Sequence, residues 1–288
     1  MKKQIEIKNP KDALLLILII AGSALLAYGA MEGISILKHG ANIRLRERSI
    51  AIENEAQIEG IGAFSVSDDK QVTFAPGNLQ YHLGDKKWQF AAEQSDIIGY
   101  LDNTDDIPLD YFGLIDLFDW KTATLPSATW RLLSMDEWVY VISRRENAEA
   151  LFALGIVNNE AGMILLPDNW VQPDSVCFTP SMTKGLFRVE GMNDIFRNTT
   201  SKSYFDNIYN ADQWSLMQQA GAVFLPAGGS RLGRNMYYVG YDGYYWSSTP
   251  YTRHVKYAVH LMFMWDYVTP RNGNSASFGY SVRMVKDL

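Results

Sequence analysis

Residues 243–249 read GYYWSST and residues 257–264 read YAVHLMFM; these two runs decide the fold. In the second, strict alternation places Val259, Leu261 and Phe263 on one face of a strand. His260, Met262 and Met264 then share the opposite face. The first run is rich in rings and hydroxyls and follows an Asp242-Gly243 turn signal. Working outward, AVFLPA (222–227), MYYVG (236–240) and YSVRMV (280–285) read as further short strands. Gly228-Gly229, Pro250, Pro270, Gly273 and Gly279 punctuate them. Upstream, QVTFAPGNLQY (71–81) carries strand-type residues around Pro76-Gly77, and KWQFA (87–91) is another short strand.

Two helices interrupt this texture. Ser134, with Glu137 three residues on, is a capping box that opens MDEWVYVISRR, where Trp138, Val141 and Ile142 follow helical spacing. ADQWSLMQQAG (211–221) is capped by Asn210, has Asp212 in its first turn and ends at Gly221. Trp138 and Trp214 are expected to anchor these helices in the core. Residues 99–129 are rich in Asp, Thr, Pro and Gly and read as loop. Helices followed by a run of short strands predict an α+β domain.

The N-terminal part is different. Residues 13–31, ALLLILIIAGSALLAYGAM, hold 19 residues without charge. As a helix they would span about 28 Å at ~1.5 Å per residue, close to the ~30 Å hydrocarbon core. The predicted organisation is a membrane anchor or signal segment at 1–31, a stalk at 32–61, and one domain at 62–288. Ala27-Tyr28-Gly29 keeps a cleaved signal peptide open. Lysines before the span and Lys38, Arg44, Arg46 and Arg48 after it nearly balance, so orientation is not readable.

The chain has 288 residues, a net charge of −6 and one cysteine. An acidic chain without a concentrated basic face gives no case for nucleic acid. A single cysteine excludes an intramolecular disulfide and a multi-cysteine metal site. The four histidines, at 39, 82, 254 and 260, are scattered. No P-loop, dinucleotide fingerprint or Ser-His-Asp context is present. No metal or cofactor is expected.

GMILLPDNW (162–170), GAVFLPAGGSRLG (221–233), GYYWSST (243–249) and FGYSVRMV (278–285) resemble the formylglycine-generating-enzyme subgroup of the C-type lectin fold. IDLFDW (115–120) and WRLLSMDEWVYVI (130–142) extend the likeness, which covers roughly 62–288. Within that fold the chain is most similar to the variable proteins diversified by retroelements in bacteria and phages. The resemblance implies a C-type-lectin-like (formylglycine-generating-enzyme-like) domain, with two helices and many short strands, preceded by an N-terminal transmembrane helix. It implies a fixed scaffold with a variable ligand-binding region at about 230–285. Trp246, Ser247, Ser248, Val282 and Arg283 belong to the fixed frame in this reading.

The residues themselves point to a displayed surface. Thirteen of the 37 aromatic residues fall in 237–288, more than a core can use. The candidate ligand-binding residues are Tyr237, Tyr238, Tyr241, Tyr251, Arg253, His254, Tyr257, His260, Met262, Met264, Trp265, Asp266, Tyr267, Arg271, Asn272 and Asn274. Large rigid rings with polar tips and adaptable hydrogen bonders are paratope chemistry. The resemblance further implies adenine-rich codons at the diversified positions, whose replacement yields Tyr, Asp, His, Ser, Arg and Asn. Met262, Met264, Trp265 and Lys256 do not arise that way from an Asn codon and need another template codon.

The function expected is therefore a binding protein, not an enzyme, exposed on a bacterial surface or envelope, or on a phage virion. Its partners would be a protein or glycan ligand, the membrane through 13–31, and further copies of itself. Three alternatives stand beside it. An undiversified structural or adhesin module would cover the tyrosine-rich patch in its assembly. A formylglycine-generating-type oxidase needs a cysteine pair, and only Cys177 is present. A calcium-dependent lectin would need clustered oxygen ligands; its Glu-Pro-Asn and Trp-Asn-Asp signatures are absent, and the acidic run at Asp102, Asp105, Asp106 and Asp110 reads as a solvated loop.

Overall fold

The alternating run at 257–264 forms one continuous strand, and both its neighbours are antiparallel. The computed structural model describes residues 62–82, 87–97, 129–181, 187–189, 192–197, 203–232, 235–251 and 256–288. These lie in a unit spanning Ile58–Leu288. In chain order the strands are β1 (Phe64–Ser65), β2 (Gln71–Phe74), β3 (Leu79–His82), β4 (Lys87–Phe90), β5 (Phe152–Val157), β6 (Glu160–Leu165), β7 (Phe187–Val189) and β8 (Met192–Arg197). They continue as β9 (Ile208–Tyr209), β10 (Val223–Pro226), β11 (Ser230–Leu232), β12 (Asn235–Tyr237), β13 (Asp242–Pro250), β14 (Tyr257–Met264), β15 (Tyr267–Ser275) and β16 (Val285–Asp287). The main sheets run β13-β14-β15-β8-β7 and β10-β6-β5-β9. A smaller sheet, β1-β2-β16, joins the start of the described domain to its end.

Helix α1 spans Met135–Val139 and α2 spans Ala211–Gln219, five and nine residues. Both capping boxes form: Ser134 Oγ accepts from the Glu137 amide and Glu137 Oε2 accepts from the Ser134 amide, while Asn210 and Gln213 do the same for α2. The predicted helix over 135–145 stops early as an α-helix. Tyr140–Arg144 is a π-helical turn, with the Arg145 amide bonded to the Tyr140 carbonyl. Side chains compete for carbonyls here: Ser143 Oγ donates to Val139 and Arg145 Nε to Val141. α2 ends as read. Gly221 sits at φ +93, its amide reaches the Gln218 carbonyl, and the Ala222 amide reaches Met217, a Schellman motif.

The largest core cluster joins Tyr245, Leu261, Phe263 and Val268 of one main sheet to Phe152, Leu154, Met163 and Leu165 of the other. Trp138 seals it from α1, fully buried. On the far side of the four-stranded sheet, Trp214 and Met217 of α2 pack with Ile164 and Phe224. Asp242-Gly243 begins β13 and is not a turn. Gly243 lies opposite Phe263, and a Cβ there would meet the ring at 2.0 Å. Arg131 links the α1 cap to the last strand, bonding Glu137 at 2.8 Å and Asp287 at 2.6 Å.

The fold-class expectation is corrected. The described domain is mostly β, in several sheets, with two short α-helices, and not an α+β, C-type-lectin-like (formylglycine-generating-enzyme-like) domain; the N-terminal transmembrane helix expected before it has no support among the described residues. The physical reason is that sheet faces supply most of the core, while the helices each contribute one short apolar stripe. No helix among the described residues is long and apolar enough to cross a membrane. The span at 13–31, the stalk at 32–61 and the acidic loop within 99–129 lie outside the described residues.

One buried cation organises the junctions. Arg283 is fully buried. Its guanidinium donates to Asn78 Oδ1 at 3.0 Å, to the Ala75 carbonyl at 3.2 Å, to Phe224 at 2.9 Å and to Gln94 at 3.4 Å. No carboxylate neutralises it among the described residues; four oxygens solvate it instead. Burial pulls its pKa down to about 10, still far above neutrality. Replacing Arg283 by Met strands those oxygens without donors. Urea unfolding is expected to show a loss of about 3–5 kcal/mol.

Candidate ligand-binding face

The face of the five-stranded sheet opposite the core follows from the strand register. Asp242, Tyr244 and Trp246 of β13 pair with Met264, Met262 and His260 of β14. His260 and Met264 pair in turn with Asn272 and Tyr267 of β15. The alternation read from the sequence therefore holds along β14: Leu261 and Phe263 are fully buried, while Met262 and Met264 are half-exposed. Asn272 Nδ2 donates to the Met262 sulfur at 2.7 Å, fixing both side chains.

His260 breaks the pattern. It is fully buried at 0% exposure, because the segment after β15 folds back over this half of the face. Tyr280 lies 4.7 Å from the imidazole, Trp246 5.5 Å and Tyr244 5.8 Å. Tyr280 stacks on Tyr244 at 4.7 Å. The same segment covers the β13 edge: the Ser281 amide donates to Tyr244 and the Trp246 amide to Ser281. Neither ring nitrogen of His260 has a hydrogen-bond partner among the described residues. Burial lowers its pKa to about 3; the nearby Ala258 backbone opposes the shift without meeting hydrogen-bond geometry.

The other half of the face is open, and the sequence-predicted residues gather at its end. Tyr237, Tyr238, Tyr241 and Trp265 are exposed, Tyr238 at 63% and Tyr241 at 67%. Asp266 and Tyr267 are half-exposed beside them. Tyr238–Tyr241 form the turn into β13, and Trp265-Asp266 the turn between β14 and β15. Pairing of Asp242 with Met264 places both turns at the same sheet end. Tyr238 holds φ 59, a left-handed backbone uncommon for an aromatic residue. Its carbonyl accepts from the Tyr241 and Asp242 amides, both at 3.0 Å. Gly229, at φ +65, packs so close that a Cβ would meet the Tyr237 carbonyl at 2.2 Å. Tyr204 OH donates to the Tyr241 carbonyl at 2.8 Å.

The remaining predicted residues lie elsewhere. Tyr251, Tyr257 and Asn274 sit at the opposite end of β14, about 23 Å away at ~3.3 Å per residue. Tyr251 and Tyr257 pack ring to ring at 6.0 Å, and Asn274 Nδ2 donates to Tyr280 OH. Arg271 is exposed midway along β15. Arg253 and His254 lie outside the described residues. Trp246, Ser247, Val282 and Arg283, kept out of the site, are all buried.

Four residues at the open end were not read from the sequence: Asp242, Tyr244, Tyr204 and Arg197. The first two were legible in principle, since alternation within 242–246 puts them on the Met262 face. Tyr244 OH donates to Asp242 Oδ2 at 2.8 Å. Burial raises the Asp242 pKa, the Tyr244 bond opposes this, and Asp266 adds to the rise. Burial, and then the Asp242 bond, raises Tyr244. The Arg197 guanidinium lies 5.1 Å from the Tyr267 ring centre. Among the described residues no three His, Cys, Asp or Glu side chains are grouped to hold a metal. The arrangement offers rings, thioethers, amides and carboxylates, which is contact chemistry.

Two outcomes follow. The unfolded chain protonates His260 near pH 6.5 while the folded chain does not until about pH 3. The stability due to neutral His260 is complete above pH 6.5 and declines as pH falls through that window. Tyr244 and Tyr280, which face it, have raised values and stay neutral throughout. Between pH 7 and pH 5 the wild type should lose about 2 kcal/mol more than His260→Leu in denaturant titrations. Tyr238→Asn should gain about 0.5–1 kcal/mol, because Asn tolerates the left-handed backbone; thermal melts measure it.

A family model described as a domain of unknown function (DUF8237) matches residues 194–285, from within β8 to the first residue of β16. The match takes in β13, β14 and β15, which carry the candidate residues of the face, but less than half of the chain. No curated protein and no solved structure matches the chain.

Proposed function

We propose that this chain is a surface-displayed binding protein whose open sheet end engages a macromolecular ligand, and that this region is diversified by a retroelement. The single observation that carries the reading is the exposure of Tyr237, Tyr238, Tyr241 and Trp265 around one end of a sheet whose solvent-side floor is Met262 and Met264. Rigid rings with polar tips gain contact area with little entropy to lose. Thioether side chains adapt to different surfaces. The second aromatic pair, Tyr251 and Tyr257, lies about 23 Å along β14, a spacing that suits a protein-sized footprint of roughly 800 Å² per partner and exceeds one small molecule. The likeness to retroelement-diversified variable proteins supports the second half of the reading.

The nucleotide sequence around the 3′ end of the gene tests it. An imperfect copy of the segment coding for about 230–285, beside a reverse-transcriptase gene and differing only where the copy has adenine, is expected. Mismatched codons should fall on exposed and half-exposed positions such as 238, 241, 264, 266 and 272, and should spare 246, 260, 261 and 263. Absence of such a copy sinks diversification. Mismatches concentrated on the buried codons would sink the assignment of the face.

A further inference from the structure

We propose that the open end of the face recognises a cationic side chain, an Arg or Lys presented by a protein ligand; this rests on the binding reading above. Asp242 at the start of β13 and Asp266 in the β14–β15 turn stand at the same sheet end as the exposed rings. Among the described residues neither is paired with a Lys or Arg. Asp242 is nearly buried, and its side-chain donor among the described residues is Tyr244 OH. The two carboxylates also act on the same neighbours: both raise the Tyr204 hydroxyl, and Asp266 raises Asp242. That is a like-charge pair held in a partly dry corner, and a ligand cation relieves it.

The rings supply the second half of the recognition. Cations sit over Trp and Tyr faces by attraction to the ring quadrupole. The corner already makes that contact once within the chain, with Arg197 over Tyr267. Arg197 is a basic residue of this corner, and it lies over that ring. Tyr238, Tyr241 and Trp265 remain exposed around the carboxylates. A guanidinium or ammonium entering between them meets ring faces at the rim and carboxylate oxygens at the floor. An anionic ligand would meet two carboxylates instead, so the corner selects by charge sign.

The test is selection of a random-peptide phage library on the immobilised full-length chain, counter-screened on Trp265→Ala to keep only peptides that need the corner. These peptides are expected to be enriched in Arg and Lys. Each should bind about five-fold or more weakly to Asp242→Asn and to Asp266→Asn, and unchanged to Asp69→Asn, an exposed acid outside the face. Replacing their arginines by citrulline should cost a similar factor. Should Asp242→Asn fail to fold, Asp266→Asn, in a half-exposed turn, carries the comparison. Corner-dependent peptides without basic enrichment, or an equal loss on Asp69→Asn, overturn the cation preference and leave the binding face standing. If no selected peptide depends on Trp265, both fall.

Discussion

The guanidinium of Arg283 is the constraint on which the rest of the domain depends. It is buried, charged and, among the described residues, solvated by oxygens from three separate parts of the chain: 75–78, 94 and 224. A cation out of water tolerates no missing partner. Those segments must therefore arrive together, and their arrival fixes where residues 278–284 run. That path places Ser281 against the edge of β13 and Tyr280 over Trp246 and His260. The covered half of the sheet face and the open half are both consequences of where one side chain is solvated.

The two halves then divide the work. Under Tyr280 the sheet is sandwiched on both sides, and its residues are large, packed and intolerant of change. Beyond it, Met262, Met264, Tyr267 and Asn272 have core on one side and solvent on the other. The strained tyrosine turn hangs at that free end. Its geometry is imposed from outside: Gly229 crowds the Tyr237 carbonyl, the Gly240 amide reaches Ala227, and Tyr204 holds Tyr241. Strain persists where surroundings over-determine it. Here the surroundings are backbone contacts, so side chains at 238 and 241 are free to differ without loosening the loop.

Much of this was legible in the sequence. Period-two alternation along 257–264 gives the correct faces, and both helix starts are capped as their residues dictate. What escaped did so for physical reasons. His260 sits on the face that alternation assigns to it, but the cover arrives from Tyr280, twenty residues later, and no local pattern announces that. The helix over 135–145 has the right spacing, yet Ser143 and Arg145 take carbonyls from the α-ladder. The hairpin of β5 and β6 turns on Asn158 and Asn159, both in left-handed backbone. Asn is tolerant of that conformation, so this pair was a usable turn signal that went unread. Asp242-Gly243 misled in the opposite way: the glycine makes room for Phe263 inside a strand.

The last strand carries a consequence for how the protein is made. β16 pairs with β2, some two hundred residues earlier, and Arg283 precedes it by two positions. Until residues 283–287 have left the ribosome, β2 has β1 on one side only and the buried carbonyls lack their donor. Closure of this domain is thus gated on the synthesis of residues 283–287, and its contacts of long sequence separation make it slow. A chain that stops short of residue 283 lacks both the donor for those carbonyls and the strand that closes the β1-β2-β16 sheet.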